Sequence, residues 1–95
     1  MNRAEILDRA KAAVCGRRET DYGSPERNFE VIADLWLAYL EAREGCIKPH
    51  DVAAMMILLK VGRISSGKMN MDNWIDAAGY AACGAELEEW EAQEK

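Results

Sequence analysis

Apolar residues recur along this chain at three- and four-residue intervals, broken by short polar punctuation, and no segment alternates strictly between apolar and polar. That period is helical. Ile6, Leu7, Ala10 and Val14 predict a first helix from about Arg3 to Cys15, stopped by Gly16. A polar loop, Arg17 to Ser24, follows, and Ser24-Pro25 has the form of an N-cap with proline in the first turn. The second helix then runs to about Arg43, with Phe29, Ile32, Leu35, Trp36, Tyr39 and Leu40 as its apolar face, and Gly45 ends it. Pro49 opens a third helix carrying Val52, Met55, Met56, Ile57, Leu58 and Leu59. It is apolar around most of its circumference, which predicts a central position. Ser65-Ser66-Gly67 breaks it, and Asn70 caps a fourth helix that reaches about Ala92. In that helix Ala77, Ala78, Gly79, Ala81, Ala82 and Gly84 are small enough to let a neighbour approach closely. The pattern predicts an all-α fold, a compact four-helix bundle with antiparallel neighbours.

Length and composition narrow this further. Ninety-five residues make one helical domain, and 49% hydrophobic content excludes a disordered chain. A core this small is marginal, so self-association is expected. The net charge of −5 is uneven: residues 86–95 hold five acids and one base, leaving −1 for the rest. That tail reads as a solvated acidic helix end, and no basic stripe for DNA or RNA is evident. Cys15, Cys46 and Cys83 are scattered and form no CxxC pair. Cys46 and His50 have a spacing found in zinc sites, but buried thiols and a helix-start histidine are the plainer reading. No signal peptide or apolar run of membrane length is present, so a cytoplasmic, non-membrane protein is expected.

The candidate chemistry gathers where the third helix hands over to the fourth. Lys60 and Arg63 lie three apart, and Asp72 and Asp76 four apart, so each pair shares a helix face. A short turn between antiparallel helices brings two cations and two carboxylates toward one end of the bundle. The cluster is either a structural ion-pair network or a site for metal and phosphate. Asp76 is flanked by Ile75 and Ala77 and shares its face with Tyr80, which calls for a partner such as Lys60 or Arg63. For a phosphate, Arg63 is the bidentate clamp and Lys60 the point charge. Glu30 and Asp34 form a second carboxylate pair. They either belong to the wet face of the second helix or, opposed to Asp72 and Asp76, complete a four-acid cage for Mg²⁺. In the loop before Pro25, Arg18 and Tyr22 beside Gly23 suit phosphate and base contacts, although Tyr22 serves equally to pin the loop. No Ser/His/Asp or Cys/His arrangement and no Walker spacing occurs.

Three segments together resemble a family of small phage and prophage proteins catalogued as a domain of unknown function. They are Tyr22-Gly23-x-Pro25-x-x-Asn28-Phe29, Asp51-Val52 with Leu58-Leu59-Lys60-x-x-Arg63, and Asp72-Asn73-Trp74-x-Asp76-x-x-Gly79-Tyr80-Ala81. The likeness covers about residues 17–85. More distantly the pattern is similar to the all-α nucleotide pyrophosphohydrolases of the MazG and dimeric dUTPase type. That resemblance implies a MazG-like helical fold, homo-oligomers, Mg²⁺ as cofactor and hydrolysis of a nucleoside triphosphate to monophosphate and pyrophosphate. It implies Glu30, Asp34, Asp72 and Asp76 as metal ligands, with Lys60 and Arg63 facing the phosphates. Both acid pairs are spaced by four here, where that superfamily typically writes three. The Leu58-to-Tyr80 stretch also looks distantly like phage accessory proteins of nucleotide kinases.

Three functions remain open on the sequence. The first is a phage-type nucleotide-handling enzyme, with Asp72, Asp76 and Lys60 catalytic and Arg63, Lys60, Tyr22, Arg18, Tyr80 and Asn28 holding substrate. The second is a non-catalytic oligomer that sequesters linear or cyclic nucleotide messengers of host defence. The third is a structural or protein-interaction subunit whose charged cluster fixes helix register. A phage-encoded chain would work in the host cytoplasm.

Overall fold

A computed structural model describes residues 1–17, 22 and 24–93. Its helices are α1 (Arg3–Ala12), which continues into a π-helical turn (Ala13–Arg17), α2 (Pro25–Ala42), α3 (Pro49–Ile64) and α4 (Met71–Gln93). The fold is all-α, with four helices and no strand among the described residues.

The helix ends follow from local chemistry. Asn2 accepts the Glu5 backbone N–H at 2.9 Å and starts α1. Ser24 accepts from Arg27 N–H at 3.4 Å ahead of Pro25 in α2. Asn70 accepts from Asp72 N–H at 3.1 Å and starts α4. Gly45 and Gly67 have φ of 93° and 88°, which only glycine adopts without strain, and these turns end α2 and α3. Gly16 is different. It was expected to stop the first helix, but it lacks the positive φ of a glycine stop and lies inside the π-helical turn.

Side-chain bonds fix the packing. Asn28 donates to Gly62 C=O at 3.2 Å and Trp36 Nε1 to Met55 C=O at 2.7 Å, so α2 runs antiparallel to α3. Contact is closest at Gly62, where a Cβ would stand 2.7 Å from Ile32 Cγ1. A Cβ on Gly84 of α4 would stand 3.1 Å from Ala53 Cβ of α3, the close approach that the small residues of the fourth helix predict. Thus α3 is central, packed by α2 and α4, while α1 contributes no comparable packing.

The interior is polar for its size. Ile32 and Ala53 are the buried hydrophobic residues, against four buried polar ones: Asn28, Asp51, Lys60 and Asn73. The expectation of buried thiols is overturned, because Cys15, Cys46 and Cys83 are all exposed. Cys46 lies in the connection between α2 and α3, and the helix faces that carry Cys15 and Cys83 are not covered within the single chain. No helix among the described residues is long and apolar enough to cross a membrane.

Candidate ligand-binding site

The residues singled out in the sequence divide into those the turn between α3 and α4 brings together and those it does not. Lys60, near the end of α3, extends its ammonium to Asp76 on α4 at 2.8 Å. Arg63, nearly one turn further on, lies over the Tyr22 ring with its guanidinium carbon 5.0 Å from the centroid. Tyr22 is tied in turn to α4: its hydroxyl accepts from Asn70 Nδ2 at 3.0 Å and donates to Asn73 Oδ1 at 3.4 Å. Tyr22 therefore joins the cluster through both its hydroxyl and its ring. Asn28 is held against the backbone of Gly62, one residue before Arg63.

Two donors in this cluster have nothing to bond. Arg63 Nε and Asn73 Nδ2 are buried and without a hydrogen-bond partner among the described residues. Asn73 is 1% exposed. A buried unmade hydrogen bond costs about 1–3 kcal/mol, which makes paired orphans at one place a signal of a missing acceptor. Beside Asn73 is a cavity of about 200 Å³ lined by Ile64, Gly67, Lys68, Met69, Asn70, Asn73 and Trp74. Trp74 is 60% exposed and offers an uncovered aromatic face.

The other candidates stand apart from this arrangement. Asp72 is exposed at the start of α4, and Tyr80 is half-buried with no bonded partner in the cluster. Glu30 and Asp34 are exposed on α2, and Glu30 meets only Arg27, at 3.9 Å. No group of three or more His, Cys, Asp or Glu side chains able to hold a metal forms among the described residues. Within one chain, Glu30 and Asp34 thus do not close a four-acid cage with Asp72 and Asp76, and Cys46 does not join His50 in a zinc site. Arg18 lies outside the described residues.

A second polar network, at the opposite end of α3, is not prefigured by the candidate residues. Asp51 is 0% exposed and accepts from Tyr39 Oη and Arg43 Nε, both at 2.5 Å, and from Lys48 N–H at 2.8 Å. Arg43 also donates to Glu44 C=O. Burial alone would raise the Asp51 pKa. The bonds from Tyr39, Lys48 and Arg43 outweigh it and hold the value at about 2. The same bond to Asp51, with burial, raises Tyr39, and the carboxylate raises Arg43. His50 starts α3 as expected, but it also clamps α4, with Nδ1 2.7 Å from Glu91 Oε1 and its backbone N–H 2.9 Å from Oε2. Burial works to raise Glu91, yet the bonds to His50 keep it below the ordinary value. The acidic end of α4 is therefore not simply solvated: Glu91 locks the helix pair.

The sequence reading missed Asn73 and the Asp51 hub. Asn73 sits inside the Asp72-Asn73-Trp74 motif, three residues from both Asn70 and Asp76, so helical spacing alone places it on their face.

A helical chain with a polar cluster at one helix turn and no assembled metal cage defines a class, not an activity. The chain belongs to the family described as Domain of unknown function (DUF6378), which matches residues 5–88. It is 45% identical over 76 residues to the Gene 55 protein of Mycobacterium phage L5, covering 80% of this chain and 47% of that protein. It is 41% identical over 78 residues to the Gene 55 protein of Mycobacterium phage D29, covering 82% and 50% respectively. The chain thus spans about half the length of these curated relatives. No solved structure matches it.

Proposed function

We propose that this protein binds a nucleotide at the α3–α4 turn without needing a metal ion to do so. The observation that carries the reading is the two buried donors without a partner among the described residues, Arg63 Nε and Asn73 Nδ2, on residues that both contact Tyr22. Donors aimed at no acceptor suit a ligand rich in oxygen acceptors. The guanidinium is the cation best matched to phosphate, because Lys60 is already neutralised by Asp76. The adjoining cavity, with Trp74 and Met69 in its wall and Asn70 and Asn73 at its edge, suits a base that stacks on one side and hydrogen-bonds on the other. On this reading the protein is a non-catalytic binder that sequesters a nucleotide messenger, linear or cyclic.

The rival is a Mg²⁺-dependent pyrophosphohydrolase of the MazG-like kind. Its support is the spacing of Asp72 one turn before Asp76, the acid that meets Lys60. A third outcome, a purely structural subunit, predicts no nucleotide response.

The experiment is incubation of purified protein with a mixed panel of linear and cyclic nucleotides, with Mg²⁺ and with EDTA, followed by ultrafiltration and chromatography of both fractions. Intact nucleotide retained in EDTA supports the binding module. Conversion of a triphosphate to a monophosphate only with Mg²⁺ establishes the rival. Passage of every nucleotide unchanged removes both.

A further inference from the structure

The hydrogen bonds at the start of α4 form a relay that runs in one direction. The Asp72 backbone N–H donates to Asn70 Oδ1 at 3.1 Å. A backbone N–H can only donate, so the other branch of that amide, Nδ2, is the one that meets the Tyr22 hydroxyl, at 3.0 Å. The hydroxyl accepts there and turns its single proton to Asn73 Oδ1, at 3.4 Å. The relay thereby fixes which way round the Asn73 amide stands. Its oxygen meets Tyr22, and its nitrogen is the buried atom without a partner among the described residues. Asn73 also lines the cavity that Met69 and Trp74 share. What Asn73 lacks is an acceptor, not a donor.

We infer that Asn73 is a specificity-determining residue, and that the nucleotide taken at this site carries a 6-oxopurine base in preference to adenine. The inference rests on the nucleotide reading above. An asparagine reads adenine with both branches of its amide at once, accepting from the N6 amino group and donating to N7. Here Tyr22 meets the oxygen branch, so the N–H branch is the one on offer. The O6–N7 edge of guanine or hypoxanthine sets two acceptors side by side, whereas adenine sets its amino donor beside N7. An adenine amino group facing the buried Nδ2 would oppose two donors and satisfy neither. A purine also covers more of the exposed Trp74 ring than a pyrimidine does. Arg63 serves the phosphate, which every nucleotide carries, so discrimination among bases falls to Asn73.

The test is equilibrium dialysis in EDTA against the linear and cyclic phosphates of inosine, guanosine, adenosine and uridine, with ribose 5-phosphate alongside. Inosine and adenosine differ only at C6 and N1, so their ratio reads the base edge. The expected result is that inosine and guanosine forms bind about tenfold or more tightly than the matching adenosine and uridine forms. Tyr22→Phe keeps the ring beneath Arg63 but removes the hydroxyl that orients the amide, so the inosine-to-adenosine ratio should fall toward one. Equal or tighter binding of adenosine forms overturns the inference and leaves a nucleotide site standing. Uridine forms that match inosine forms overturn the purine assignment. Ribose 5-phosphate bound as tightly as the nucleotides also overturns it, because Asn73 then meets a phosphate oxygen. A ratio unchanged in a folded Tyr22→Phe overturns the relay, and if that variant unfolds, the wild-type ratio still decides. Binding of no nucleotide removes the site and the inference together.

Discussion

The Lys60 ammonium and the Asp76 carboxylate meet at 2.8 Å between α3 and α4, yet the lysine side chain is 10% exposed and the aspartate 46%. The two halves of this pair are therefore not equivalent. Removing the acid leaves a buried cation alone, whereas removing the cation leaves an acid that water can hydrate. Breaking a fully buried pair costs about 3–5 kcal/mol, and the half-exposed carboxylate lowers that to about 1–2 kcal/mol for Asp76→Asn. Lys60→Met should be nearly neutral, because the acid it leaves behind is half-exposed and water hydrates it. Urea unfolding of both variants checks this; a larger loss for Lys60→Met would contradict the asymmetry.

The same pair separates the two functional readings. If Asp76 only neutralises Lys60, Asp76→Asn retains nucleotide in EDTA at least as well as wild type, since it frees a second cation. If Asp76 carries hydrolysis, the variant keeps its fold and loses Mg²⁺-dependent turnover.

At the other end of α3, Asp51 predicts the acid limit of the fold. Its value in the folded chain, about 2, lies below the ordinary 3.8. Its contribution to stability is therefore complete above 3.8 and is lost as the pH falls from there through about 2. Glu91, also lowered, acts in the same direction. Urea midpoints measured down this range should fall steeply for wild type and less steeply for Asp51→Asn. Parallel acid profiles would show that Asp51 is not the group responsible.

Gly62 predicts a coupling between helices. A Cβ there meets Ile32 Cγ1 at 2.7 Å, so Gly62→Ala forces α2 away from α3 and costs about 1–3 kcal/mol. Ile32→Ala opens that space while losing core contacts. The double variant should cost less than the sum of the two singles, by about 1 kcal/mol or more. Simple additivity in denaturation would mean that the approach at Gly62 is not tight.

Asn73 should be cheap to remove without ligand and expensive with it. Its Nδ2 has no partner among the described residues, so Asn73→Ala loses the 3.4 Å bond from Tyr22, about 1 kcal/mol or less of stability. Losing a ligand bond of about 1.4 kcal/mol corresponds to a tenfold weaker affinity. Equilibrium dialysis of wild type and variant against the nucleotide retained from the panel measures the difference, and equal affinity would move the site elsewhere.

Much of the fold is legible because its signals are local. Ser24-Pro25, Pro49, Gly67 and Asn70 act within a turn of where they stand, and the helices begin and end beside them. The pairing of Lys60 with Asp76 is legible too, since periodicity and a short turn bring the two faces together. Gly16 misleads because glycine composition does not reveal backbone φ. The Asp51 hub is hidden because Tyr39 and Arg43, one turn apart, reach Asp51 across a helix connection that no helical period spans. Cysteine burial fails for a related reason: apolar spacing identifies a face but not whether the single chain covers it. Asn73 escapes notice as a neutral residue among charged ones, and only its burial exposes its unmet donor.

The most direct measurement is a nuclear magnetic resonance titration of isotope-labelled protein with the same linear and cyclic nucleotides in EDTA. It would follow the Arg63 Nε–H and the Asn73 side-chain amide, with Arg63→Ala and Asn73→Ala assigning the two signals. The predicted result is that one nucleotide moves both signals together, while amides around Asp51 and His50 stay still. Unmoved Arg63 and Asn73 signals across the whole panel, or shifts confined to the Asp51 end of α3, would contradict a nucleotide site at the α3–α4 turn.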